Sequence, residues 1–151
     1  MKKSIVVLMT VLLAAACGSS NNMKGKIADP EVRLFQTSVQ TAIAEHVTGG
    51  IPVDFALSVT NHAEIPITLK RINIQSMGSG GYNVSPTSRP FNVIIAPGAT
   101  EQVQFTLPTF ATASVAGVNG AVAMRVIAQF DTAQGAFENT TVHQVGGRVQ
   151  G

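Results

Sequence analysis

A clear amphipathic strand pattern occupies residues 53–61, which read Val53-Asp54-Phe55-Ala56-Leu57-Ser58-Val59-Thr60-Asn61. Large apolar side chains alternate along this stretch with polar or small ones. Successive side chains of a β-strand point to opposite faces of a sheet, so the pattern predicts one buried face and one solvated face. Residues 61–64 that follow predict a turn.

The next predicted strand contains two apolar sets in opposite phase, which are Ile65, Ile67 and Leu69, and then Ile72 and Ile74. A shift of one residue inverts the facing of a strand, so a bulge or bend near Lys70-Arg71 is expected. Pro66 has no backbone N–H to donate. The strand is therefore expected to start there or to lie at a sheet edge.

Further strands are predicted on both sides of this pair. The first covers Phe35 to Val47, where Phe35, Thr37, Val39, Thr41 and Ile43 share one face, although a helix is the alternative. The β-branched residues and the turn signal Gly49-Gly50 favour a strand leading into a hairpin. The later elements are a loop at 77–81, short strand 82–85, a break at 86–90, strands 91–95 and 103–107, an uncertain segment 109–120, and strands 122–130 and 137–145.

Two turn signals separate the later strands. Pro97-Gly98 fits the central pair of a type II turn, because Pro presets φ and Gly accepts a positive φ. Residues 132–135 predict the turn of the closing hairpin. The chain is therefore predicted to be all-β, an antiparallel immunoglobulin-like β-sandwich of about seven or eight strands, with a closed barrel as the alternative.

An apolar leader precedes this domain. Lys2 and Lys3 lie before an apolar core from Ile5 to Leu13, and Ala14-Ala15-Ala16 lies directly before Cys17, the single cysteine of the chain. A basic start, a short apolar core and small residues at a cleavage site predict a secretory signal peptide. The apolar run is shorter than the roughly 20 residues that a transmembrane helix needs.

The residues around Cys17 resemble the lipobox of bacterial lipoproteins, with Ala14 at the position where Leu is usual. The resemblance implies cleavage before Cys17 by signal peptidase II and a lipidated mature amino terminus. Gly18, rather than aspartate, follows the cysteine, which implies sorting to the outer membrane, facing the periplasm. The alternative is a plain signal peptide. It is disfavoured because a single cysteine has no disulfide partner in the chain and residues 18–22 have a tether's composition.

These features predict four segments: a lipoprotein signal peptide at 1–16, a lipidated cysteine and flexible tether at 17–30, a β-sandwich domain at 31–145 and a flexible tail at 146–151. The full chain has ten basic and eight acidic residues. Removal of Lys2 and Lys3 with the signal peptide leaves eight of each. The mature protein is therefore near neutral, which argues against a nucleic-acid partner.

The strand at 53–61 and its continuation Ile65-Pro66-Ile67-Thr68-Leu69 resemble the strand–Asn–turn–strand core of LEA14-type, or WHy, domains. The turn at 96–100 and the closing hairpin from Arg125 to Val142 are also similar. His62 stands where that family often has proline. The resemblance covers most of residues 31–145. It implies an immunoglobulin- or fibronectin-III-like sandwich with a protective, binding or structural role, and it carries over no active-site residues.

Residue types that carry chemistry are sparse. The three histidines, His46, His62 and His143, lack the spacing of metal ligands, and only His62 beside Glu64 forms a suggestive pair. Asp54 and Glu64 are the carboxylates that a hairpin could bring together. The Gly78-Ser79-Gly80-Gly81 loop lacks the lysine of a phosphate-binding loop. We therefore predict no catalytic, metal or cofactor site.

The sequence thus predicts a noncatalytic, lipid-anchored envelope protein with Cys17 as its lipidation site. Its β-sandwich is expected to act as a binding, structural or stress-protective module. Its expected partners are the membrane, through the anchor, and an envelope protein. The alternative is a carrier of a lipid or another apolar ligand, because small residues between Ala111 and Ala123 would leave space between the sheets.

Overall fold

The computed structural model describes residues 27–39, 50–78, 80–111 and 120–146. Each described strand pairs antiparallel with its neighbours, and the two sheets have the strand orders β1-β2-β6-β4 and β5-β3-β7-β8. The strands are β1 (Glu31–Val39), β2 (Ile51–Thr60), β3 (Ile67–Met77), β4 (Tyr82–Asn83), β5 (Thr87–Ile95), β6 (Thr100–Ala111), β7 (Val122–Thr132) and β8 (Gly135–Val145). The protein is therefore all-β, and its two separate sheets confirm the sandwich rather than the barrel.

The interior between the sheets is filled by apolar side chains. In β2, the predicted apolar set faces this core, and Val53, Phe55 and Leu57 are fully buried. Phe55 stacks on Phe105 with ring centroids 6.0 Å apart, and Phe91 meets Phe105 edge-on at 6.2 Å. A second stacked pair, Phe130 and Phe137 with centroids 5.2 Å apart, packs at the β7–β8 hairpin. These rings occupy space that a ligand carried between the sheets would need.

Several local predictions are confirmed. The register of β3 shifts between Leu69 and Arg71 against both of its neighbours, which is the expected bulge. Pro66 lies directly before β3, so this residue's missing donor falls outside the ladder. Gly98 has φ +70° and the Ala99 amide donates to the Ala96 carbonyl at 3.0 Å, as the Pro97-Gly98 turn requires.

The first predicted strand is shifted in the structure. It begins at Glu31, directly after Pro30, and Val32 and Leu34 face the core. The face that Phe35 was predicted to share with Thr37 and Val39 is the outer one, and Phe35 is 47% exposed there. Residues 40–47 of the predicted strand lie outside the described residues, as does most of the Ala111 to Ala123 segment.

The prolines do not interrupt the strands as predicted. The proposed break at 86–90 is wrong, because β5 runs through Pro90, and β6 continues past Pro108 to Ala111. Pro90 lies on an edge strand opposite the bulge residue Arg71, where a missing N–H costs little. An edge strand therefore accommodates a residue that would weaken a central strand.

Candidate functional site

Cys17 and His46 lie outside the described residues. His62 and Glu64 both line an open cleft at the end of the sandwich, together with Ile27 and Gln134. The carboxylate nearest to His62 is nevertheless that of Glu31, whose Oε2 lies 3.8 Å from the His62 Nε2. His62 and Glu64 therefore line the same cleft but do not form an ion pair with each other.

The described part of the chain lacks two further features. It contains no group of three or more His, Cys, Asp or Glu side chains placed to hold a metal ion. It also contains no helix with the length and apolar character of a membrane-spanning segment.

Asn61 is a buried hub at the same end of the sandwich. Its side-chain Nδ2 donates to the carbonyls of Ile65 at 2.8 Å and Ile95 at 3.0 Å, and its Oδ1 accepts from the Ala63 amide at 2.9 Å. Its backbone amide donates to the Ala99 carbonyl at 2.9 Å. This fully buried amide therefore joins the β2–β3 turn to the β5–β6 turn, which is a structural role that the turn prediction did not include.

Asp54 lies on the outer face of β2, away from Glu64. Its carboxylate accepts hydrogen bonds from the hydroxyls of Ser38 at 2.6 Å and Thr106 at 2.5 Å. These bonds, first from Ser38 and then from Thr106, hold the pKa of Asp54 below its ordinary value. Asp54 is thus a stable anion that ties β1, β2 and β6 together, and the structure does not pair it with a second carboxylate for hydrolysis.

Two polar pairs lie between the sheets. The Tyr82 hydroxyl donates to Gln36 Oε1 at 2.7 Å, and burial raises the pKa of Tyr82. His143 Nε2 lies 2.8 Å from Thr141 Oγ1, and burial lowers the pKa of His143. Each pair satisfies polar groups within an apolar surrounding, so neither has the exposed geometry of a reactive centre.

The outer strands differ in how their free edges are protected. Proteins commonly block such edges with charges, proline or bulges. β1 has Glu31, Arg33 and a register shift, whereas β5 contains Arg89 and Pro90. In β6, Pro108 and the Arg89 guanidinium, which donates to the Thr106 carbonyl at 2.8 Å, protect the edge beyond β2.

Strand β8 has fewer of these devices. Its register with β7 is unbroken over all of Gly135–Val145, and its sequence contains no proline, lysine or arginine. Its single carboxylate, Glu138, is held towards β7 by a 2.8 Å hydrogen bond from Gln129 Nε2. Val142 is 57% exposed beside this edge. β8 is therefore less protected than β1, β5 or the exposed part of β6.

No protein-family model and no curated protein matches this sequence. Solved structures do match. The structural genomics target SoR45 aligns with a TM-score of 0.55 and 12% identity, over 81% of this chain and 88% of that one. A protein from Archaeoglobus fulgidus aligns with a TM-score of 0.49 and 10% identity, over 76% of this chain and 91% of its own.

A putative late embryogenesis abundant (LEA) protein also aligns, with a TM-score of 0.48 and 12% identity, over 81% of this chain and 74% of its own. The match to SoR45 supports the all-β fold and nothing finer, because its identity is low. The chain therefore belongs to the class of β-sandwich domains, and its resemblance to LEA14-type domains remains a prediction.

Proposed function

We propose that this chain is a noncatalytic, lipid-anchored protein of the bacterial cell envelope, with Cys17 as its anchor. Its β-sandwich acts as a binding module that adds an extended segment of a protein partner to the free edge of β8. More broadly, we propose that the domain has a binding, protective or structural role of the kind that its resemblance to LEA14-type domains implies. The single observation that carries it is the long outer edge of β8, which has no proline, no lysine or arginine and no register shift.

Strand addition suits this edge for a physical reason. An edge strand presents unpaired N–H and C=O groups, and a partner strand that pairs with them continues the sheet. Without proline, bulge or cationic side chain, β8 opposes such pairing less than β1, β5 or β6 do. The exposed Val142 adds an apolar contact beside the ladder.

The experiment compares two substitutions on the same sheet. Val142 on β8 and Ile94 on β5 are exposed aliphatic residues on opposite outer strands, 57% and 67% exposed. Val142→Lys places a charge at the proposed edge, and Ile94→Lys is the matched control. A photo-crosslinking residue at Thr140 should capture a partner in intact cells, and Val142→Lys should reduce that product while Ile94→Lys does not. Equal effects of the two variants would contradict binding at β8.

The anchor is tested separately. Cys17→Ser should abolish labelling by radioactive palmitate and release the protein from membranes. Labelling that persisted in Cys17→Ser would refute the lipidation site. The released protein also tests the carrier alternative, because mass spectrometry of that material would show bound lipid. We expect it to contain none, since phenylalanine rings fill the space between the sheets.

A further inference from the structure

We propose that a cleft on the outer face of the second sheet binds a small polar oxyanion, with Arg125 as its main ligand. The cleft has a volume of about 210 Å³ and lies where β3, β5 and β7 run side by side. Its polar lining consists of Asn73, Gln75, Thr87, Ser88 and Arg125. Asn73, Gln75 and Arg125 alternate along β3 and β7 with buried residues, and Ser88 pairs with Asn73, so these four face away from the core. Thr87, the first residue of β5, pairs with the buried Ile74.

Most donors in this cleft are uncommitted, although the Thr87 hydroxyl donates to the Ser85 carbonyl at 2.9 Å. Within the described part of the chain, Arg125 makes no hydrogen bond or ion pair, although its side chain is half-buried. The side-chain amides of Asn73 and Gln75 likewise have no hydrogen-bond partner there. Ser88 Oγ accepts from Arg71 Nη1 at 3.0 Å, which leaves the Ser88 hydroxyl hydrogen able to donate elsewhere. A guanidinium fork with neutral donors beside it is the arrangement that binds carboxylate or phosphate.

The local charge favours the same kind of ligand. The surrounding strand segments 71–77, 86–90, 122–127 and 140–145 contain no aspartate or glutamate, and Arg71 and Arg125 lie on the outer face with the cleft. Arg89 is in the opposite phase of β5, and its guanidinium donates to the Thr106 carbonyl of the other sheet. The acidic residues of this sheet, Asp131 and Glu138, lie towards the opposite end of β7 and β8. No carboxylate of these segments therefore competes for the Arg125 guanidinium, and a bound anion would meet a positive field.

The other polar residues of the cleft indicate which groups the ligand carries besides its oxyanion. Asn73 and Gln75 present carbonyl oxygens as well as N–H groups, so they suit a ligand that carries hydroxyl or amide groups beside its oxyanion. The volume is several times that of a water molecule, which is about 30 Å³ in the liquid. A sugar acid or a sugar phosphate has this combination of size, charge and hydrogen-bonding groups.

The test is a titration of the full chain with Cys17→Ser, followed by amide chemical shifts at low ionic strength. The probes are glucuronate, inorganic phosphate and, as the neutral control, glucose. Saturable shifts at Gln75, Ser88 and Arg125 with either anion, and none with glucose, support the site. The anion that binds more tightly identifies the oxyanion as carboxylate or phosphate.

The variants separate charge from geometry. Arg125→Gln should weaken binding by roughly tenfold or more, because it removes charged hydrogen bonds, and Arg125→Lys should have an intermediate effect. Arg33→Gln, the same change at an arginine of the other sheet, should leave binding unchanged. The proposal is overturned if neither anion gives saturable shifts, if glucose binds as well as the anions, or if Arg125→Gln and Arg33→Gln bind equally.

Discussion

The side chain of Asn61 donates to the backbone carbonyl of Ile95 at 3.0 Å, across 34 positions of sequence. This bond crosses from the end of β2 in one sheet to the end of β5 in the other. Because the same amide also binds the β2–β3 turn, its loss would release both turns at once.

We expect Asn61→Ala to lower the free energy of unfolding by about 3–5 kcal/mol, since two buried carbonyls and one amide would lose their partner. Urea denaturation measures this change. Asn92→Ala, which removes an exposed acceptor of Lys70 Nζ, should change stability by less than about 0.5 kcal/mol. Similar losses in the two variants would show that Asn61 is not a hub.

Asn61→Asp provides a sharper test of the same hub. A carboxylate would face the carbonyls of Ile65 and Ile95, so burial and repulsion should raise its pKa in the folded state. A raised folded-state pKa means that the folded protein binds more protons than the unfolded chain. The stability of this variant should therefore increase as pH falls from neutrality towards about 4. A stability difference from the native protein that does not vary with pH would contradict the geometry.

The carboxyl of Asp54 should titrate below its ordinary value of 3.8. Ser38→Ala removes the hydrogen bond that lowers this pKa most, so the pKa should rise towards 3.8. Carbon-detected NMR measures the titration, and Ser58→Ala, on the same face of β2, is the control. Because the folded-state pKa is lowered, the stabilisation is present above pH 3.8 and is lost as pH falls below it.

His143 should make stability depend on pH near neutrality. Burial lowers its pKa below 6.5, so the unfolded chain binds a proton that the folded protein does not. Stability should therefore be full above pH 6.5 and decrease as pH falls from 6.5 to the lowered pKa. His143→Gln should remove this dependence in denaturation measured between pH 7.5 and 5. His62→Gln is the comparison, and it should retain the dependence.

Tyr82 is the only tyrosine of the chain, which makes its ionisation directly observable. Burial raises its pKa above 10.0, so the stability that this residue contributes is present below pH 10.0 and is lost as pH rises above it. Tyrosinate absorbance should therefore appear only as the protein unfolds in alkali. Absorbance that rose near pH 10 in the folded protein would show that the ring is exposed.

Tyr82→Phe tests the hydrogen bond to Gln36 itself. It leaves Gln36 Oε1 without its donor, which should cost about 1–2 kcal/mol. The double variant with Gln36→Leu should recover part of that loss, because it removes the unpaired acceptor. Equal stability of the single and double variants would show that Gln36 Oε1 finds another donor.

The alternating pattern in β2 and the phase reversal in β3 were sufficient to predict buried faces and a bulge, because both depend on a period of two. Phe35 shows where that reasoning fails. The apolar residues of this strand are compatible with either alternation. Because the strand begins at Glu31 and buries Val32 and Leu34, Phe35 lies on the outer face. The predicted break at Pro90 was wrong for a related reason. A strand can contain proline when it lies at the edge of a sheet, and the sequence does not reveal that β5 lies there.

The candidate sites were less predictable than the fold. Asn61 was recognised as a turn residue, yet its bond to Ile95 depends on two turns that meet only in the folded sandwich. Arg125 and Gln75 lie 50 positions apart and become direct neighbours through the β3–β7 register. A single arginine in an alternating strand is common, so the sequence does not mark Arg125 as a binding residue. Its role depends on the folded structure, in which no aspartate or glutamate lies on the neighbouring strand segments.

The position of Ile27 shows at which end of the sandwich the described chain begins. Ile27 lines the cleft beside His62 and Gln134, so the chain enters the sandwich at the end that carries the 61–66 and 133–134 turns. Cys17 and Ile27 are ten positions apart, a length of chain that spans at most about 35 Å when extended. A lipid at Cys17 would therefore hold this end near the bilayer. Arg125, seven residues along β7 from Thr132, lies about 24 Å from that end, so such an anchor would leave it at the end of the domain away from the lipid.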